Sequence, residues 1–345
     1  MSHSTVPRSS AEADTTEKTP VASDGAPGPR RRKPPSGKLK LGLRLRRDRV
    51  LLLMTLPAVL LVLLFNYLPI LGNVVAFQEY DPYLSDNGVV SILNSPWVGL
   101  ENFQRIFEDS AFWNAVQNTL VLFVLQLVLY FPVPILLALL INSVVRPRVR
   151  AVSQAILYLP HFFSWVLVVA VFQQLFGGAG ILSQLLRENG YDGLNIMTNP
   201  DTFAFLITAQ SVWKDAGWGI IVFLAALASV NPDLYEAAAM DGAGRWRRMW
   251  HVTLPALRPV IALLLVLRVG DALTVGFEQI LLQRDYVGPG AAEVLDTFVW
   301  WNGVRNQDFG YAAAAGLVKG VISLGLVLAA NKVAHLMGEQ GVYKK

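Results

Sequence analysis

An all-α membrane protein with six transmembrane helices is the fold class the sequence predicts, and three observations carry that reading. The chain of 345 residues is 53% hydrophobic and only 16% charged, with a mean hydropathy of +0.43, a balance unsuited to a soluble domain. Six apolar segments lie at roughly 50–72, 114–142, 153–176, 202–229, 260–282 and 310–336, each long enough to cross a hydrocarbon core of about 30 Å. No alternation of the closed-barrel kind is visible, which leaves helices as the form that satisfies every backbone group in lipid.

Before the first segment, residues 1–49 are rich in Ser, Pro, Thr, Gly and charge. They hold too little apolar surface to fold and are expected to form a disordered, basic cytosolic tail, with a transmembrane domain over 50–345. The basic run from Arg30 to Arg49 directly precedes the first span, placed for topology bias or for anionic lipid. With the amino terminus inside, Arg146, Arg148, Arg150, Arg245, Arg247, Arg248, Arg258 and Lys332 also fall on inner segments, whereas the outer ones hold Arg105, Arg187, Arg284 and Arg305. The excess places both termini and the loop at 231–259 in the cytosol. It also accounts for the net charge of +4 by the membrane surface, with no nucleic acid invoked. Cysteine is absent, which excludes disulfides, thiolate metal sites and a Cys nucleophile.

Within the spans, Pro57, Pro69, Pro132, Pro134 and Pro160 predict kinks. The loop at 231–259 carries its own punctuation. Asn231 is placed to cap a helix opening at Pro232, Asp233 and Glu236 sit near its positive end, and Gly242 and Gly244 break it about three turns on. A second short helix, with Trp246, Met249 and Trp250 on one face and Arg245, Arg247 and Arg248 around the others, is expected to stop at Pro255. Two amphipathic pieces on a glycine elbow suit insertion into a groove of another protein; the plainer reading is a connector lying at the membrane interface. Outside, the loop at 73–113 is acidic and aromatic, and reads equally as a docking surface or as an interfacial belt.

The run Glu236-Ala237-Ala238, Asp241-Gly242-Ala243 and Leu254-Pro255 resembles the EAA loop of permease subunits in binding-protein-dependent ABC importers, above all those for carbohydrate. Further likeness to that sugar and polysaccharide-fragment subfamily lies in Leu56 to Gln78, Pro96 to Phe103, Asn118-Thr119-Leu120, Tyr158-Leu159-Pro160, Trp213-Lys214 to Gly217, and Gly310 to Lys332. It covers about residue 50 to the carboxyl terminus and none of the first 49. The resemblance implies a type I ABC importer permease fold in which Glu236, Ala237, Ala238, Asp241, Gly242, Ala243, Trp246, Leu254 and Pro255 form coupling helices seated in an ATPase. It further implies a second homologous permease, two cytosolic ATP-binding subunits, an extracellular solute-binding lipoprotein, a carbohydrate solute and a multi-pass place in a bacterial cell membrane.

No cofactor is implied and no catalytic constellation is expected. There is no phosphate-cradling G-x-x-x-x-G-K-[ST] string, and His3, His161, His251 and His335 show no metal-ligand spacing. An ion-gradient-driven secondary transporter is the alternative, disfavoured by the lack of internal repeats; a membrane-embedded enzyme is a further one. Polar residues inside the spans are the remaining lead, since a charge there costs about 2.5–3.5 kcal/mol by insertion scales. Lys214 and Asp215, Arg268, Asp271, Glu278 and Lys319, with Asn118 and Gln126, either lock helices together or line a solute path. Arg268 and Asp271 are spaced to pair on one helix face. Which sugar is carried does not follow from the sequence.

Overall fold

A computed structural model describes residues 49–336, so the expected tail, Arg49 excepted, lies outside the described residues, as do Lys344 and Lys345. Among the described residues there is no strand, only an isolated bridge between Gln78 and Trp97. Six helical stretches are long and apolar enough to cross a membrane: Arg49–Phe77, Ser110–Ser143, Trp165–Glu188, Pro200–Ala228, Arg245–Gly270 and Phe309–Leu336. The described residues divide into two compact units, with the boundary between Leu63 and Leu64. In the first, α1 (Arg49–Val62) runs through Pro57 and buries no side chain; apolar on every face, it is built for lipid.

In the second unit α2 (Glu101–Glu108) leads into α3 (Ser110–Leu125), whose first turn is capped by the Asp109 carboxylate accepting from Ala111 N at 2.7 Å. After a π turn at Gln126–Tyr130 the same span continues as α4 (Pro132–Ser143). Proline lacks the N–H that an α-helix needs, and the wider turn ahead of it takes up the mismatch. The same arrangement precedes Pro69, at Leu63–Tyr67, and Pro255, at Met249–Thr253. Pro160 acts differently. The run expected as one span over 153–176 is split into α5 (Pro147–Tyr158), a 3₁₀ turn at Leu159–Phe162 and α6 (Trp165–Phe176), restarted by Ser164 as cap.

The fourth span is α7 (Phe203–Ala228), and α8 (Pro232–Met240) follows it in the 231–259 loop. Pro255 does not stop the second loop helix. Arg245–Arg248, the π turn and α9 (Leu254–Gly270) form one continuous helix, with Leu254 N bonded to the Met249 carbonyl. The fifth span, expected over 260–282, instead ends at Gly270; a turn through Gly276 (φ +63°) separates it from a short helix at Phe277–Leu281. Glu278 is thereby an exposed residue beyond the span. The segment at 283–309, expected on the outer face, is folded: α10 (Leu295–Trp300) buries Leu295, Thr297 and Phe298 and packs against the last span, α11 (Phe309–Leu336).

Since lipid supplies no hydrophobic drive between helices, close backbone approach matters more than in water. Two glycines mark it. A Cβ on Gly217 of α7 would sit 1.8 Å from the Leu157 carbonyl oxygen of α5, and one on Gly310 would sit 2.5 Å from the Gln78 carbonyl oxygen. Around these contacts Ala138 and Ile141 of α4, Ile220, Phe223 and Leu227 of α7, and Leu257 of α9 form one core cluster. A second joins Ala76, Phe112, Leu295, Phe298 and Ala314.

Candidate functional site

The 231–259 loop is ordered by its own local chemistry. The Asn231 side chain accepts from Asp233 N at 3.0 Å, with Pro232 at the first helical position, so the predicted cap forms. At the other end of α8, Gly242 N bonds the Ala239 carbonyl at 3.0 Å and Ala243 N the Ala238 carbonyl at 2.9 Å. This is a Schellman closure, with Gly242 at φ +73°. A Cβ at Gly242 would meet nothing within 4 Å among the described residues, so the glycine is required there by its backbone angle and not by crowding. Tyr235 Oη and Thr253 Oγ1 meet at 3.2 Å and tie the two arms together.

What the elbow leaves outward is apolar and unfilled. Met240 is 90% exposed and Trp246 74%, and Leu234 and Trp250 are also exposed. Glu236, Ala237, Asp241 and Gly242 are exposed as well, whereas Ala238, Ala243, Leu254 and Pro255 are half-buried at the joint. The Glu236 carboxylate makes no hydrogen bond among the described residues, so it does not cap the backbone of its own loop. Beside it, Arg245, Arg247 and Arg248 open the long helix that becomes the fifth span.

A second assembly lies within the spans. His161 Nδ1 meets Asp215 Oδ1 at 2.9 Å; Lys214 Nζ donates to the His161 carbonyl at 2.9 Å and reaches Asp215 at 3.4 Å. The His161 ring stacks on Trp218 with centroids 4.6 Å apart, and Lys214 lies 5.3 Å over Trp165. The π turn that carries Tyr130 packs against α7, and the Arg268 guanidinium lies 5.6 Å over the Tyr130 ring. Arg268 also donates to the buried Gln126 side chain. The structure thus brings Gln126, Lys214, Asp215 and Arg268 into one neighbourhood.

It does not bring all the expected residues there. The predicted Arg268–Asp271 pair is absent: α9 ends between them, Arg268 turns to Gln126, and Asp271 is exposed. Asn118 donates to the carbonyls of Gly290 and Glu293 at 3.1 and 3.0 Å, holding the outer segment against α3. Lys319 of α11 pairs with Asp296 of α10. Sequence reasoning missed the buried Arg284–Glu293 pair, at 2.5 Å under Trp301, and the amide cluster of Gln210, Gln279 and Gln283. Nothing in their spacing separates Arg284, Glu293, Gln279 and Gln283 from ordinary loop polarity, or marks Gln210 within its span. Among the described residues no group of His, Asp and Glu is arranged to hold a metal.

Residues 130–336 match the family described as the inner membrane component of binding-protein-dependent transport systems. The polygalacturonan/rhamnogalacturonan transport system permease protein YteP of Bacillus subtilis (strain 168) is 44% identical over 305 residues, 88% of this chain and 93% of that protein. Protein LplB of the same organism is 40% identical over 87% of this chain and 92% of its own. In the crystal structure of a bacterial alginate ABC transporter, in complex with an alginate pentasaccharide-bound periplasmic protein, one chain superposes with a TM-score of 0.79. The two are 37% identical, over 88% of this chain and 99% of that one. The loop, the spans and these likenesses together lead to one conclusion: this chain is a multi-pass membrane protein belonging to the family of inner membrane components of binding-protein-dependent transport systems.

Proposed function

We propose that the chain is a permease subunit of an ATP-driven ABC importer, translocating a sugar or oligosaccharide handed over by an extracellular solute-binding protein. It works beside a second homologous permease and two cytosolic ATP-binding subunits, with both termini in the cytosol. The observation that carries this reading is the outward apolar face of the 231–259 elbow, Leu234, Met240, Trp246 and Trp250, which is ordered by caps yet lacks a partner among the described residues. The polygalacturonan/rhamnogalacturonan permease and the alginate transporter named above support carbohydrate as the solute.

The continuity of Arg245–Gly270 suggests how a push is passed on. A rigid helix rising 1.5 Å per residue carries motion from Trp246 to Arg268 over about 33 Å. ATP-driven closure of the motor subunits then moves the elbow, and the spans follow between inward-open and outward-open states. Glu236, exposed in the first turns of α8, supplies a charge-assisted contact to the motor. An ion-gradient-driven carrier draws no support from a family that works with binding proteins. The test is uptake in cells whose ATPase partner is disabled and, separately, in cells treated with an uncoupler that spares ATP. Import should vanish in the first and persist in the second; the reverse pattern would sink the reading. Glu236→Lys should reach the membrane and abolish uptake.

A further inference from the structure

Three cations lie deep in the spans: Lys214, Arg268 and Lys319. Two are answered by carboxylates, Lys214 by Asp215 and Lys319 by Asp296. Arg268 is not. Its partners are a neutral amide, Gln126, and the face of Tyr130, and its Nε is buried with no hydrogen-bond acceptor. Asp215 is held by His161 and Lys214. Asp271, one turn on, is exposed and pairs with nothing among the described residues. A guanidinium that keeps its charge in every environment is therefore left with donors to spare.

The surroundings are those of a path more than of a lipid face. Counted at 1.5 Å per residue, Arg268 stands about 21 Å from Leu254 along its helix, and Gln126 about 26 Å from Ser143 along its span, both past the midplane yet still within a bilayer roughly 30 Å thick. There α9 ends, and its irregular continuation exposes Asp271 and Thr274. Non-helical backbone at that depth is tolerated where protein or water covers it, not lipid. Gln126 and Tyr130 are themselves the two ends of a π turn, a feature common at functional sites.

We propose that Arg268 receives a carboxylate of the solute in transit, the acid group of a uronate unit, and so determines which sugars pass. The guanidinium N–H groups that Gln126 leaves unused suit a planar carboxylate. The assignment rests on carbohydrate import as proposed above. It is tested in cells expressing the complete transporter, with Arg268→Gln or Arg268→Lys in this chain. Uptake of trigalacturonate and of its neutral counterpart galactotriose is normalised to the amount of the chain in the membrane. With Arg268→Gln the ratio of acid to neutral uptake should fall at least about tenfold, and Arg268→Lys, which keeps the charge but not the fork, should recover part of it. An unchanged ratio would overturn the assignment, and so would an equal loss of both sugars, which would mark Arg268 as a packing residue between α3 and α9. Should the unaltered transporter take up neither sugar, the import reading itself would fail, a result distinct from either of these.

Discussion

Gly242 offers a test in which backbone angle and side-chain crowding make opposite forecasts. At φ +73° with open space around the missing Cβ, Gly242→Ala costs only the left-handed conformation, about 1–2 kcal/mol. Such a cost depletes the closed elbow by a factor of about 5–30, and ATP-dependent uptake should fall by a similar factor while the chain still reaches the membrane. Asparagine enters the same backbone region several times more readily than other side chains, so Gly242→Asn should retain far more activity than Ala despite its greater bulk. A β-branched residue should do worse than either. Uptake in reconstituted proteoliposomes, with co-purified ATPase as a second readout, gives the ranking Gly, Asn, Ala, Val. If Asn proves as damaging as Val, the angle is not what matters, and a surface of the motor subunit that excludes any side chain must be the reason. If Ala is silent, the Schellman closure has no part in coupling.

Other consequences follow from the contacts. Asp296→Asn strands Lys319 in the bundle and should lower stability by about 3–5 kcal/mol, with the paired Asp296→Leu, Lys319→Met change recovering most of it; unfolding midpoints in mixed detergent micelles measure both. Gly217→Ala drives a Cβ into the Leu157 carbonyl and should greatly reduce inserted protein, whereas Gly316→Ala, which meets nothing within 4 Å, should leave it unchanged on a membrane immunoblot. Asn231→Ala removes the cap on α8 at a cost of about 1 kcal/mol, and Asn231→Asp restores it, read as binding affinity for the ATPase partner.

What could be read from the sequence was what is local. Asn231-Pro232 and Asp241-Gly242 specify a cap and a left-handed closure within a few residues, and both form. The six spans were visible because lipid demands long apolar helices, although their ends were not. Hydropathy runs on unbroken through Pro160 and Gly270, where the backbone breaks for reasons of hydrogen bonding that a composition average does not register. Pro255 misled for a related reason, since the π turn before it preserves the helix and turns an expected stop into a joint. The lack of a phosphate-cradling loop pointed to a permease that is not itself an enzyme, and family membership bears that out. Polar partners were the least legible. Arg268 finds Gln126 from another span, and Asn118 finds the backbone of the outer segment; such pairings depend on tertiary placement alone.

The central claim is that the 231–259 elbow seats in a cytosolic ATP-hydrolysing subunit. The chain contains no cysteine, so a single one placed at the fully outward Met240 is a unique label. Met240→Cys in intact cells should cross-link to the ATPase subunit, with a yield that changes when ATP hydrolysis is arrested, and should resist a membrane-impermeant thiol reagent added outside. Labelling from outside, or no adduct with any nucleotide-hydrolysing protein, would contradict it.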